Sequence, residues 1–480
     1  MGFQSLAFLV LLALTAVLCP LAAKKDRRAG TALAMLVSAG FYLWGLGDRA
    51  LLGFNILLIG GAVTFGAARY WRSGKAVSRR RTVLLLAAVW HIAVLLGFKY
   101  LGFFTGGAVS LGWAPLGLSF FTFQQLWFLK EVRTGQLPPA ELEKLDADTF
   151  TLFCLFFPTV SSGPILRPGA FFPQTRGEKY LRPDWDDRAA GLYAIAFGMA
   201  KKVLLADALG AVVNNGYQHL DQLTAPAAWL VILGYTLQLY FDFSGYCDIA
   251  TGAARLLGIR LPVNFDSPYR ALSVGEFWKR WHMTLTAFLR ECVYFPLGGS
   301  RLGTAKTYRN ILIVFLISGF WHGAGWTFLV WGGLHGLAQV LERAWGPGRE
   351  RLPKAIRWAG TFLFVNLAWG FFRAPSLSAA GSVLRAALSG GWGLPAFLTE
   401  GLLPSEAEAL NVLGLGGKTG VLLLAAVFLI ALIAALKPGN TIRRMDAFRP
   451  TAARCALCCI LLVWATLSFS GVATFIYANF

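Results

Sequence analysis

The chain has 480 residues, of which 56% are hydrophobic and only 14% charged, with a mean hydropathy of +0.58. A soluble domain carries about 25% charged residues, so this much apolar surface cannot be hidden in one water-surrounded core, whereas a bilayer accepts it. The net charge of +20, from 44 Lys+Arg against 24 Asp+Glu, does not point to nucleic acid, because the basic residues lie in short loops between apolar runs, the positive-inside pattern of membrane proteins.

The first apolar run, 5–23, has no positive charge before it and is followed by Lys24, Lys25, Arg27 and Arg28. A cleaved signal peptide has its charges on the other side, so a retained helix with an outside N-terminus is expected. Runs 31–46 and 51–67 follow, then a loop with Arg69, Arg72, Lys75, Arg79, Arg80 and Arg81 and no acid. Two spans separate the two basic loops, which places both in the cytoplasm. Further runs cover 82–103, 116–129, 150–160, 189–213, 227–242, 310–321, 327–341, 358–371, 421–436 and 455–475. At roughly 20 residues per crossing, several are short or interrupted by Gly or Pro, which predicts about 11 crossings plus partial or re-entrant helices. The polar stretches 137–149 and 343–357 read as loops. No linker divides the chain, so residues 1–480 are expected to form one all-α polytopic domain in the cytoplasmic (inner) membrane.

The seven cysteines are Cys19, Cys154, Cys247, Cys292, Cys455, Cys458 and Cys459, and nearly all lie in apolar runs. Cys455 and Cys458 make a C-x-x-C without a second Cys or His pair, so no metal site is expected and these are read as small buried hydrophobes. Gly417-Lys418-Thr419 ends like a nucleotide-binding loop, but Val412 stands where its first glycine belongs, and no G-x-S-x-G accompanies a sheet pattern. A nucleotide-driven pump and a serine hydrolase are therefore disfavoured.

Residues 240–340 break the apolar pattern, being rich in Trp, His, Arg and Gly. Ionisable groups in a membrane protein are costly, so their concentration marks a functional region. At 100° per residue, Trp278, Trp281, Leu285, Phe288 and Cys292 fall on one stripe, which predicts a single amphipathic helix over 276–292 with His282 at the stripe's edge. His322 sits in the glycine-rich segment SGFWHGAGWTFLVWGGLHG (318–336). A neutral imidazole there can take a proton from an alcohol, or it can be a core histidine bonded to a carbonyl. His335 is 13 residues on, about 220° around a common helix, so it is expected to point away from His322. His91 and His219 are isolated and read as structural. Asp242 and Asp248 flank FSGYC, and as buried carboxylates they need partners, for which the basic residues of 270–310 are candidates.

The run from YFDFSGYCD (240–248) through EFWKRWHMTL (276–285) and PLGGSR (296–301) to GFWHGAGW (319–326) resembles the bacterial branch of the membrane-bound O-acyltransferases. It is most similar to the alginate O-acetylation membrane proteins and more distantly to the teichoic acid D-alanyl transfer proteins. The similarity extends to PLGLSFFTFQ (115–124), FPTVSSGPILRP (157–168) and the terminal FIYANF. It implies a ring of membrane helices around a thinned centre with a funnel from each face. The histidine of W-H-G-A, here His322, would be catalytic, and that of W-H-x-S/T-L, here His282, a second important polar residue. The donor would be an activated acyl group such as acetyl-CoA or an acyl-carrier thioester, with no tightly bound cofactor and no metal. The acyl group would leave outward, often to a separate extracytoplasmic SGNH-type acyltransferase that modifies a polysaccharide. Departures are Glu291-Cys292 where the family often has Asp-Tyr, Cys247 for Ser, and Trp127, Phe128 and Glu131 where it tends to Ser, Tyr and Asp.

The expected function is thus O-acyl transfer to an envelope polysaccharide. His322 and His282 are the catalytic candidates, and Asp242, Asp248, Lys279, Arg280, Arg290 and Trp321 the candidates for substrate contact. Membrane lipids are the surrounding partner. The competing reading is a transporter or polymer-export subunit without chemistry, which buried charges and broken spans would also fit.

Overall fold

The computed structural model describes residues 3, 5–44, 47–469 and 476. Among them every regular element is helical and none is a strand, as a chain in lipid requires, since a helix satisfies its backbone within one segment. Five stretches are long and apolar enough to cross a bilayer: Leu6–Lys25, Ala50–Trp71, Val77–Lys99, Lys354–Arg373 and Pro404–Leu436. The first shows its lipid-facing stripe directly, because Leu6, Val10, Leu14, Val17 and Leu21 are exposed at helical spacing while Phe8, Leu12 and Cys19 are buried.

The middle of the molecule is built differently. The 31-residue helix Ala225–Arg255 is buried along most of its length and carries Asp242, Asp248 and Arg255 inward. It therefore serves as a core column rather than a lipid-facing span. It packs against a helical run made of Trp185–Ala200, a π-helical Lys201–Asp207 and Ala208–Gln218. The crossing is close because glycine meets glycine: a Cβ on Gly252 would lie 2.5 Å from the Gly191 carbonyl oxygen, and one on Gly198 2.7 Å from that of Gly245.

The apolar runs 189–213 and 227–242 are thus the centres of longer helices. The stretches read as loops contain helix: Pro139–Glu143 lies in the first, and the Trp326–Trp345 helix, the Gly346–Arg351 turn and the start of Lys354–Arg373 cover most of the second. The last run appears as Ala452–Leu467; its end at 475 and the FIYANF terminus, Ile476 apart, lie outside the described residues.

The expected amphipathic helix over 276–292 is corrected. Val274–Arg280 and Met283–Leu289 are separate helices, and π-helix follows over Arg290–Tyr294. The break is at His282, whose backbone is left-handed (φ 42°, ψ 54°). A non-glycine residue there is strained and persists only where its surroundings hold it. Periodicity alone had placed Trp281, Leu285 and Phe288 on one continuous stripe. All three are indeed buried, but on either side of a turn.

Candidate active site

Asn264 holds His282 in that turn. Its side-chain oxygen receives the Thr284 backbone N–H at 3.1 Å and the Thr284 hydroxyl at 2.9 Å, and it faces His282 Nδ1 at 3.2 Å. Its backbone carbonyl takes the Met283 N–H at 2.9 Å. An amide oxygen only accepts, so His282 carries a proton on Nδ1 and its neutral ring has its lone pair on Nε2. The ring is fully buried, edge-on to Phe243 at 4.8 Å and 6.3 Å from the Trp321 ring.

His322 is the last residue of Thr304–His322, and Gly323 next to it is extended. Its Nδ1 lies 2.6 Å from the Ser318 carbonyl oxygen, one turn back. A carbonyl can only accept, so here too the proton sits on Nδ1 and the lone pair on Nε2. The ring is buried, with Trp321 at 4.7 Å, Trp331 at 5.1 Å and Phe372 at 5.2 Å. Trp321 therefore neighbours both histidines.

His335 corrects a second expectation. The break at Gly323–Gly325 puts it on a different helix, Trp326–Trp345, which folds back against Thr304–His322. The two helices touch backbone to backbone: a Cβ on Gly319 would fall 2.3 Å from the Phe328 carbonyl oxygen, and one on Gly332 2.4 Å from that of Phe315. The 220° rotation assumed one helix and does not apply. His335 is buried in the same aromatic cluster, 5.1 Å from Trp331, and its Nδ1 accepts the Trp278 indole N–H at 3.1 Å. Its proton is thus on Nε2, the opposite tautomer to the other two. The indole N–H groups of Trp321, Trp331 and Trp369 and the Nε2 of His335 are buried and meet no acceptor among the described residues, which makes the surroundings of His322 rich in donors.

The charged candidates separate. Asp242 is fully buried and receives Lys202 Nζ at 2.6 Å and the Ile476 N–H at 2.9 Å, and Lys202 also reaches Asp207 at 2.8 Å. Asp248 receives Lys201 Nζ at 2.6 Å and the Thr441 hydroxyl at 2.8 Å. Their cationic partners therefore come from the π-helical Lys201–Asp207 turn, not from 270–310. Both lysines of this turn thus reach the column, and π-helical turns of this kind are frequent at functional sites.

Asp248, Lys201 and Arg444 line a cleft of about 460 Å³ that reaches Cys247 and Asn264, the support of His282. Lys279 and Arg290 are exposed, and Arg280 pairs with Glu276 at 2.8 Å and reaches the Asp266 carbonyl at 3.2 Å. Glu291 binds Lys130 at 2.6 Å and Arg167 at 2.9 Å. Beside this pair a larger groove of about 990 Å³ runs between Arg81 and Arg133 at one end and Trp321 at the other.

His91 bonds Thr64 at 2.7 Å and His219 the Asn215 carbonyl at 3.0 Å. No group of three potential metal ligands occurs among the described residues. Sequence reasoning missed Asn264, Trp278, Trp331 and Lys99. Of these only Lys99, a charge near the end of an apolar run, left a readable signal.

Buried histidines on broken helices, set in an aromatic core within a polytopic helical membrane protein, form a buried polar centre rather than a lipid-facing surface. Residues 67–382 match the MBOAT, membrane-bound O-acyltransferase family, and the chain belongs to that family. It is 38% identical to the peptidoglycan O-acetyltransferase of Helicobacter pylori over 340 residues, covering 64% of each chain. It is 35% identical to the protein named probable alginate O-acetylase AlgI of Pseudomonas aeruginosa over 418 residues, covering 83% of this chain and 75% of that one. The teichoic acid D-alanyltransferase of Bacillus subtilis is more distant, at 28% over 267 residues and covering 53% of this chain and 66% of that one. The chain thus spans just under two thirds of the Helicobacter relative's length and three quarters of the Pseudomonas one's.

Proposed function

We propose that this protein transfers an acyl group, acetyl in the first instance, from a thioester donor on the cytoplasmic side to a hydroxyl destined for an envelope polysaccharide, in the inner membrane. The single observation that carries the chemistry is the His322 tautomer. With Nδ1–H committed to the Ser318 carbonyl, Nε2 is the nitrogen that can accept a proton. His322 Nε2 takes the hydroxyl proton as the oxygen attacks the thioester carbonyl. The tetrahedral oxyanion collapses, the C–S bond breaks, and the thiolate leaves with the proton from the imidazolium. The buried N–H donors nearby suit a developing oxyanion, and a dry site strengthens such bonds.

The names of the relatives support a polysaccharide acceptor; the group reaches it either directly or, as part of the same proposal, through an extracytoplasmic SGNH-type acyltransferase that passes it on. Acetyl-CoA and an acyl-carrier thioester are the two donors that fit.

The test is His322→Asn. Asparagine can keep a donor to the Ser318 carbonyl but has no basic nitrogen. Loss of a general base costs about 10²–10⁴-fold in rate, so ester-linked acetate on envelope polymers, measured by mass spectrometry at matched protein levels, should vanish. Normal acetylation in this variant would remove the proposal and favour a transporter.

A further inference from the structure

Lys99 ends the Val77–Lys99 helix, at the opposite end from Arg79, Arg80 and Arg81. Its ammonium donates to the Trp321 carbonyl, next to His322, and to the Ser119 hydroxyl at 3.3 Å. It lies 5.6 Å from the centre of the Trp321 ring and 5.5 Å from that of Tyr100. Tyr100 adds its hydroxyl to the same place, donating to the Phe320 carbonyl at 2.9 Å and the Trp321 carbonyl at 3.1 Å. Its ring stacks on Phe320 at 4.2 Å. No carboxylate pairs with Lys99 among the described residues; its contacts are carbonyl, hydroxyl and ring faces.

A cation without a counter-ion in a membrane protein is costly, and a leucine or methionine here would insert more easily. What the lysine meets explains its presence. The last carbonyls of a helix have no partner within the helix and carry the negative end of its dipole. In Thr304–His322 those carbonyls belong to the turn that carries His322, and the chain then leaves through Gly323 and Gly325, which have no side chains to anchor it. The His322 ring bonds back to the Ser318 carbonyl in that same turn, so a shift of the turn carries the ring with it.

We propose that Lys99 is the positioning residue of the His322 centre. Its ammonium, assisted by the Tyr100 hydroxyl, fixes the final turn of the helix and so the direction of His322 Nε2. This rests on the reading of His322 as the base.

The experiment uses the full chain in detergent-permeabilised membranes, both of whose faces are accessible, with radiolabelled acetyl-CoA as donor and envelope fragments as acceptor. Displacing a reacting group by about 1 Å can cost about 10²-fold. Lys99→Met should therefore lower kcat by about 10- to 100-fold while leaving KM for acetyl-CoA within about 2-fold. Lys99→Arg should recover most of the rate, because it restores a charged donor to the carbonyl. Tyr100→Phe, which folds without a charge change, should lose less, in kcat again.

Normal kcat in Lys99→Met, a loss that tracks only protein amount, or a fall through KM alone overturns the proposal. An active His322→Asn sinks the base assignment itself, whereas an inactive His322→Asn beside a normal Lys99→Met sinks only the role of Lys99.

Discussion

Three buried histidines in one aromatic cluster have two different proton arrangements, and their partners decide which. Asn264 and the Ser318 carbonyl are acceptors, so His282 and His322 keep Nε2 basic, whereas Trp278 is a donor and makes His335 accept through Nδ1. The sequence-based expectation that His335 points away from His322, and so matters less, rested on a shared helix. The buried Trp278 bond changes that for stability. His335→Ala strands the Trp278 N–H, worth about 1–3 kcal/mol in a buried site, and leaves a cavity besides. His335→Asn keeps an acceptor and should recover part of the loss. Thermal unfolding in detergent is the measurement, and equal midpoints for wild type and both variants would show that the bond contributes nothing. His322 was legible because glycine, tryptophan and histidine crowd an apolar segment. Asn264 was not, since a polar residue 18 positions from the histidine it orients leaves no periodic trace.

At the scale of elements, the buried histidine cluster depends on helices that end early or turn back. His282 sits in a left-handed turn, His322 at a helix end, and the return helix reaches it only because Gly319 and Gly332 allow backbone contact. Helical periodicity found the apolar faces but could not see these breaks, because Trp281–His282–Met283 contains neither glycine nor proline. The π-turn at Lys201–Asp207 was hidden in the same way, and with it the partners of Asp242 and Asp248. The glycine contact is directly testable. A methyl at Gly319 would meet the Phe328 carbonyl oxygen at 2.3 Å, and backbone cannot swing aside as a side chain can. Overpacking of this kind costs about 1–3 kcal/mol, so Gly319→Ala should lower the unfolding temperature and depress acylation together. Gly333→Ala is the control, since its nearest neighbour is the Leu316 side chain at 4.0 Å. An unchanged Gly319→Ala would mean that the two helices are not in backbone contact.

For the whole molecule, the contacts gather the basic residues at one end. Arg27 binds the Thr175 and Gly177 carbonyls, Arg182 the Ala23 carbonyl, and Arg255 pairs with Asp187 and Asp446. Gln174 joins the backbone of Arg260, and Arg167 joins Glu131 and Glu291 beside the groove that opens at Arg81 and Arg133. Loops far apart in sequence thus share one face, and most of them are rich in Arg. Lys99 and the 105–115 loop that follows it lie at the other end of the Val77–Lys99 helix. The positive-inside rule assigns the arginine face to the cytoplasm, the side from which the proposed thioester donor would come. Single cysteines provide the test, placed in a chain whose exposed Cys455 and Cys459 have been replaced by serine. Ser73→Cys, in the basic loop, should react with a membrane-impermeant maleimide only in inverted vesicles. Gly107→Cys, beyond Lys99, should react only in intact spheroplasts. Reversed labelling would place the arginine face outside and require the donor to reach His322 from the side of Lys99.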